Sequence, residues 1–233
     1  MKNITFQSVF DTPTVKMSDL NGEAQTPDGR VWRYLQATEI IAKYNVTERP
    51  AQTDVDTVAS SANAAGQNVY VTEADAGWTV GDYQDHWMVV NDGTHEGQVA
   101  KIKDNTTDTL ELYVDYALAT ALTVAAADDI EIVHMPDAEN MDTGGTVEAI
   151  NGVAQVAFAA DDYGWFLIKG IGGINIGDTA GEANEPLVPG DDTAGYANGC
   201  GDDFDREDFT IIGNCIVANT TADKATLAMI HIR

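Results

Sequence analysis

Apolar and polar positions alternate in short bursts along this chain, and turn residues cut nearly every burst short. The pattern is densest in the last third. YGWFLIKGI (163–171) gives way to the turn IGDTAG (176–181), then to LVPGDDTAG (187–195), FTIIGNCIVANTT (209–221) and ATLAMIHIR (225–233). Short runs rich in Val, Ile, Phe and Trp, bounded by Gly, Asp, Asn and Pro, predict β-strands. Two of the runs are apolar on both faces. In YGWFLIKGI, Trp165 and Leu167 share one face and Phe166 and Ile168 the other, and ATLAMIHIR behaves alike. Such strands belong in a sheet covered on both sides, or in a sheet that also meets a neighbouring subunit.

The earlier chain carries the same signals more loosely. Residues 1–29 are polar and turn-rich, with a tight turn at TPDG (26–29), which predicts an extended arm or edge strand. GRVWRYLQA (29–37) predicts a strand. ATEIIAKYNV (37–46) reads as a short helix, with Thr38 as its cap and Ile40, Ile41 and Tyr44 on one face, but the run is short for a helix. A polar connector with Pro50 spans 47–62. A meander follows: NVYVTE (68–73), the hairpin WMVVNDGTHEGQVAKI (87–102) turning at Asn91, Asp92 and Gly93, TLELYVDY (109–116) and DDIEIVHM (128–135). Leu110, Leu112 and Val114 fall on one face of the third run. ALATALTVAAA (117–127) reads either as one or two helical turns or as a loop. PDAENMDTGG (136–145) is a second connector, after which VEAINGVAQVAF (147–158) restarts the strand pattern. Gly-Asp turns recur at Gly81, Gly177, Gly190 and Gly201 without forming a true repeat.

These elements predict an all-β protein. An N-terminal arm covers 1–25. A discontinuous β-barrel or sandwich domain takes 26–52 plus 137–233, and a second, small β-barrel-like domain (53–136) is inserted in it.

Composition supports a folded chain: of 233 residues 44% are apolar, with four Trp and eight Tyr. Charge is lopsided, with 38 Asp and Glu against 12 Lys and Arg, a formal net of −26. That field repels nucleic acid and anionic membranes, and it repels other copies unless they dock through an apolar patch or a basic partner. No run approaches the ~18 apolar residues of a membrane span. MKNITFQSVFDTPTV lacks the apolar core of a secretory signal, which predicts synthesis in a cytoplasm. There, Cys200 and Cys215 are expected as thiols, although their spacing permits a bridge across the acidic loop between them. The Asn-x-Ser/Thr triplets at Asn3, Asn45, Asn105 and Asn219 are expected to be turn residues.

A search for chemistry returns little. His86, His95, His134 and His231 show no metal-ligand spacing, although His86 and His95 flank the hairpin turn and are placed to approach across the ladder. GDDFDREDF (201–209) offers Asp203, Asp205 and Glu207 at alternate positions, a hard-oxygen set suited to calcium. It fails the EF-hand pattern at Asp208 and Asn214, and reads as a solvated acidic loop, as do Asp191 and Asp192. GIGGINIG (170–177) looks like a phosphate-binding loop, but no helix pattern follows it. The acids are too many for spacing to single out a catalytic pair, and the serines lack partners. The expectation is a protein with no catalytic, cofactor-binding or metal residues.

DGRVWRYLQA, YGWFLIKG, a Gly-Asp-Asp loop, IGNCIVANTT and the final apolar strand together resemble the small β-rich virion proteins of tailed bacteriophages. In particular they resemble capsid decoration (cement) proteins, in which a "GRxFRY" strand pairs with a "YGWxxxKG" strand. The middle segment, from AAGQNVYVT to DDIEIVH, resembles a β-module inserted in some of these proteins. The resemblance implies a barrel or sandwich subunit, often trimeric, on the outer surface of a virion, with the major capsid protein as partner. The expected function is non-enzymatic: bridging capsid subunits. Trp32, Tyr34, Trp165 and Phe166 are candidates either for subunit contact or for plain core. The rival expectation is a carbohydrate- or host-surface-binding module of a fibre or head protrusion, using exposed Trp78 and Trp87 as stacking platforms.

Overall fold

Short strands bounded by glycine and asparagine turns dominate the chain, as its apolar alternation dictates. The computed structural model describes residues 2–3, 8–55, 60–64, 67–73, 75–123, 127–143, 149–177, 182–190, 193–200, 211–218 and 224–232. In chain order the strands are β1 (Lys2–Asn3), β2 (Glu23–Gln25), β3 (Val31–Ala37), β4 (Val46–Glu48), β5 (Thr53–Val55), β6 (Ser60–Ala64), β7 (Gln67–Thr72), β8 (Trp87–Asp92) and β9 (Val99–Asn105). They continue with β10 (Thr109–Leu112), β11 (Asp129–Val133), β12 (Asp137–Asn140), β13 (Ile150–Val153), β14 (Tyr163–Ile176), β15 (Pro186–Pro189), β16 (Ala197–Gly199), β17 (Gly213–Cys215) and β18 (Lys224–His231). The fold is all-β, and single helical turns at Ser8–Phe10 and Val114–Tyr116 are the helix found among the described residues. None of it is long and apolar enough to cross a membrane. Two units form: Met1–Pro50 with Pro136–Arg233, and Ala51–Met135.

In the first unit, strand pairing closes on itself twice. One circuit runs β3–β12–β4–β13–β14 and back to β3; the other runs β14–β16–β15–β17–β18 and back to β14. The long strand β14 belongs to both. Its first half pairs with β3, setting Trp165 opposite Tyr34 and Phe166 opposite Arg33. Its second half pairs with β18, setting Ile171 opposite Met229 and Gly173 opposite Leu227. The register against β3 shifts between Leu167 and Lys169. An extra residue in one strand changes which alternate positions face a given side. Ile168 therefore joins the side of Trp165 and Leu167, contrary to the strict alternation expected from sequence, and Ile174 and Ile176 continue that side. Phe166 faces the opposite way, into a cluster with Leu35, Ile41, Ala138 and Phe158, where its ring stacks on Phe158 at 4.5 Å.

Several local expectations change. Residues 37–46 form no helix: Ile41 is buried through a bridge to Phe158, and Ile40 points outward. A helix of under three turns would leave its first four amides unpaired, and pairing with existing strands satisfies more of them. Both connectors contain short strands (β4, β5, the start of β6, and β12), recruited by neighbours despite their polar sequences. The segment read as an arm contributes Val9 and Ala24 to the core, and β2 pairs with β3.

In the second unit seven strands lie in the order β5-β11-β8-β9-β10-β7-β6, and every pairing is antiparallel. One face is core: Val71, Met88, Val90, Ala100, Ile102, Leu110, Leu112, Ile130 and Ile132. The β8–β9 hairpin turns through a longer loop than expected, with Gly93 (φ 99°) and Gly97 (φ 88°) in the left-handed region. The third meander strand ends at Leu112, so Val114 sits outside it and is 58% exposed. Among the described residues 117–127 form no helix; Leu118 bridges to Asn68 and Leu122 is buried.

Candidate functional site

The outward face of the β14–β18 pair is the most unusual surface of the first unit. The inward residues of β18, Ala228 and Ile230, are fully buried, whereas its outward neighbours Leu227 and Met229 are 42% and 44% exposed. Opposite Met229 stands Ile171, 47% exposed. Three apolar side chains thus form a stripe that none of the described residues covers. The stripe borders a concavity of about 1170 Å3, also lined by Phe10, Arg30, Lys43, Tyr44 and the glycines at 170, 172 and 173.

The glycine run explains the shape. A glycine inside a strand marks a close approach by a neighbour. A Cβ on Gly173 would lie 2.4 Å from Tyr44 Cε1, and one on Gly170 (φ 115°) would lie 2.6 Å from Arg30 Cγ. Each glycine is therefore a seat, one for an aromatic ring and one for a guanidinium stem. Tyr44 itself holds a positive φ of 73°, a costly conformation for a bulky residue. Lys43 Nζ lies 4.5 Å from the Tyr44 ring centroid. Arg30 stacks on Trp32 at 5.3 Å, and its Nε donates to Asp28 at 2.8 Å. The Thr26 hydroxyl bond to Asp28, helped by Arg30, outweighs burial and holds that carboxyl below its usual range.

The floor is already paired. Gln155 donates to the Gly173 carbonyl at 2.9 Å and accepts from its amide at 3.0 Å, and the Asn175 amide donates to the Tyr44 carbonyl. GIGGINIG is thus largely part of a continuous strand, and its amides pair with the ladder, Gln155 and Tyr44 instead of cradling a phosphate. This pocket was missed in sequence; the signal that marks it is the glycine run inside a strand pattern.

Elsewhere in this unit, carboxylates crowd. Glu139 of β12 stands in register with Glu48 of β4. Burial, then repulsion from Glu48, Glu39, Asp142 and Asp137, pushes the Glu139 carboxyl up to about 7. Cys215 is buried and donates to the Val217 carbonyl. Burial pushes its thiol up, against the lowering effect of Thr226 and Val217, which is the setting of an inert thiol. Cys200 and Cys215 are not joined as a disulfide. The acidic loop 201–209 and residues 191–192 lie outside the described residues.

In the second unit His86 and His95 do not meet. His86 packs edge-on against His134 with ring centroids 4.9 Å apart, beside Tyr83, and Thr53 Oγ1 lies 2.8 Å from His134 Nε2. His95 Nδ1 instead lies 2.8 Å from Oδ2 of the fully buried Asp128. Burial raises the Asp128 carboxyl, but the bonds from the His95 ring, the His95 amide and the Thr123 amide outweigh it and hold it below its usual range. This is a structural tie between a loop and the start of β11. His231 is an exposed strand residue opposite Lys169. Asn45 and Asn105 are buried, and Asn105 donates to the Thr79 and Thr106 carbonyls, so neither presents a glycan acceptor.

The aromatic candidates fall to the core. Trp32, Tyr34, Trp165 and Phe166 are all buried in the first unit, with Tyr34 packed 5.0 Å from Trp165. Trp78, expected as an exposed platform, is 8% exposed and packs into the second core against Tyr83. Its indole is large enough that burying it stabilises a small sheet far more than exposing it would. Trp87 is half-buried with its ring against Tyr116. Comparison with known proteins finds no family model, no curated protein and no solved structure that matches this chain.

Proposed function

We propose that this chain is a non-enzymatic virion structural protein that decorates and stabilises a phage capsid by bridging capsid subunits, working as a trimer on the outer shell. The observation that carries the reading is the apolar stripe of Ile171, Leu227 and Met229, exposed on the paired strands β14 and β18 of the second closed circuit. A rigid β-scaffold with an apolar docking face has the anatomy of an assembly part. The antiparallel β3–β14 pairing supports it too, because it joins the two strands that carry the resemblance to decoration proteins. The strong negative charge keeps unassembled copies apart in solution and leaves docking to a specific face.

The test is co-sedimentation of the purified protein with expanded empty capsids, together with mass photometry. A trimer that pellets with capsids and raises their melting temperature is the expected result. A monomer that stays in the supernatant at every ratio overturns the reading.

A further inference from the structure

In the second unit the antiparallel β8–β11 ladder ends with Trp87 opposite Val133. His86 directly precedes β8 and His134 directly follows β11, so the two histidines stand one step beyond that last pair and face each other. Opposite residues of such a ladder bring their Cβ atoms to about 5 Å. The two rings are perpendicular, at 90°, with centroids 4.9 Å apart, and a nitrogen of one lies within 4.8 Å of a nitrogen of the other. Two imidazoles on one tetrahedral ion, each bonded at about 2.0–2.1 Å, also hold their centroids roughly 5 Å apart.

The other nitrogen of each ring is committed. A carbonyl only accepts, so His86 Nδ1 donates to the Gln84 carbonyl at 3.2 Å and its lone pair resides on Nε2. Thr53 Oγ1 lies 2.8 Å from His134 Nε2; accepting the proton there, it leaves the lone pair on Nδ1. A hydrogen bond to the non-ligating nitrogen is how metal-binding histidines are oriented. The backbone at His86 is held as firmly. Asp85, the residue before it, adopts a φ of 67°, and its carboxylate accepts from the Tyr113 hydroxyl at 2.9 Å and pairs with Lys101 at 3.1 Å. The Asp85 amide donates to the Ile102 carbonyl, and the Ile102 amide to the His86 carbonyl. Left-handed backbone at a non-glycine residue persists where its surroundings over-determine it, and it clusters at functional sites. Tyr83 packs edge-on against both rings, at 5.7 and 5.8 Å.

We infer that His86 and His134 bind a divalent transition metal of the zinc class, through Nε2 of the first and Nδ1 of the second. Imidazole nitrogens select such ions over calcium and magnesium, which take oxygen ligands. Two nitrogens leave the remaining positions on the ion to water or other oxygen donors. A bound ion ties the end of β11 to the start of β8, so it stabilises the second unit. The site is independent of the docking reading above: it uses neither the outward stripe nor any capsid partner. No short sequence motif joins the two histidines; strand register alone brings them together.

The experiment titrates the full chain, stripped with a chelator, with zinc chloride alone at neutral pH, read by isothermal titration calorimetry. The expected result is one zinc ion per chain, with that binding lost in His134→Gln and in His86→Gln and kept in His231→Gln, which alters an exposed strand residue. Zinc should also raise the melting temperature of the parent and leave that of His134→Gln unchanged. His86 is buried, so a readout that needs no substitution runs beside the variants. In proton–nitrogen correlation spectra of the parent's imidazoles, zinc should shift the signals of His86 and His134 and leave those of His95 and His231 in place. Zinc binding that survives His134→Gln, or that millimolar calcium displaces, belongs to the chain's carboxylates and overturns the inference. So do His86 and His134 signals that stay put at saturating zinc, and so does a titration with no binding heat and no change in those signals.

Discussion

The two halves of β14 make the sharpest contrast in the molecule. Both are apolar, both are paired along their length, and one continuous strand carries them. The first half is buried on both sides: Trp165 and Leu167 face one cluster, and Phe166 faces another built from β3, β12 and the bridge at Ile41. The second half buries Ile174 and Ile176 but leaves Ile171 outside, opposite Met229. Apolar residues are uncovered here because glycines replace the side chains that would support a covering layer, and Tyr44 and Arg30 occupy the seats this creates. Apolar residues of one strand thus serve stability in its first half and a surface in its second.

Four substitutions break or sharpen that contrast. The largest effect is expected from Phe166→Ala. Its ring is fully buried against Phe158, and truncation should cost about 3–5 kcal/mol in chemical denaturation. A loss no greater than that of a surface change would erase the distinction between the halves. Gly173→Ala comes next. The new Cβ would meet the Tyr44 ring at 2.4 Å, so Tyr44 must move and roughly 1–3 kcal/mol should be lost, with the intrinsic tyrosine fluorescence reporting the displacement.

A smaller effect belongs to pH. The Glu139 carboxyl is raised to about 7 in the folded protein from an ordinary value of 4.5. Folding therefore favours its protonated form. That contribution is fully present below pH 4.5 and is lost as pH rises through about 7. Solvent screening at this half-buried position keeps the effect modest, so the melting temperature should fall by a few degrees between pH 5 and pH 8. Glu139→Gln should flatten that slope, measured by differential scanning calorimetry against the parent; an unchanged slope would show that Glu139 does not titrate in this window. The smallest effect is expected from Met229→Ser on the outward stripe, within about 0.5 kcal/mol by thermal unfolding. A large destabilisation there would mean that the stripe is covered, and would collapse the contrast from the other side.

Much of the strand inventory was legible from sequence because each strand carries its own signal. Alternation marks β10 and β11, β-branched and aromatic runs mark β3 and β14, and glycine marks the turns at Gly29 and Gly93. Where the signal was wrong, a neighbour had intervened. The apolar cluster at 38–46 suggested a helix, yet Phe158 offered Ile41 a bridge. The polar stretches around Pro50 and Pro136 looked like linkers, yet β4 and β12 complete a circuit whose other strands were already committed. Trp78 looked available as a surface platform because a single sequence does not show which aromatic will fill a particular core.

The sequence by itself determined the class of this protein: all-β, strongly acidic and turn-punctuated, because strand period, charge and turn chemistry are local properties of the chain. Tertiary structure alone decided which apolar residues are core and which are surface. A bulge near Ile168 changes the parity of β14, and circuit closure buries one half of it from both sides. Two glycines, Gly173 and Gly170, then seat a tyrosine and an arginine near the outward stripe. Each depends on residues far apart in the chain meeting at a fixed register, and register is set by the packing of the whole sheet.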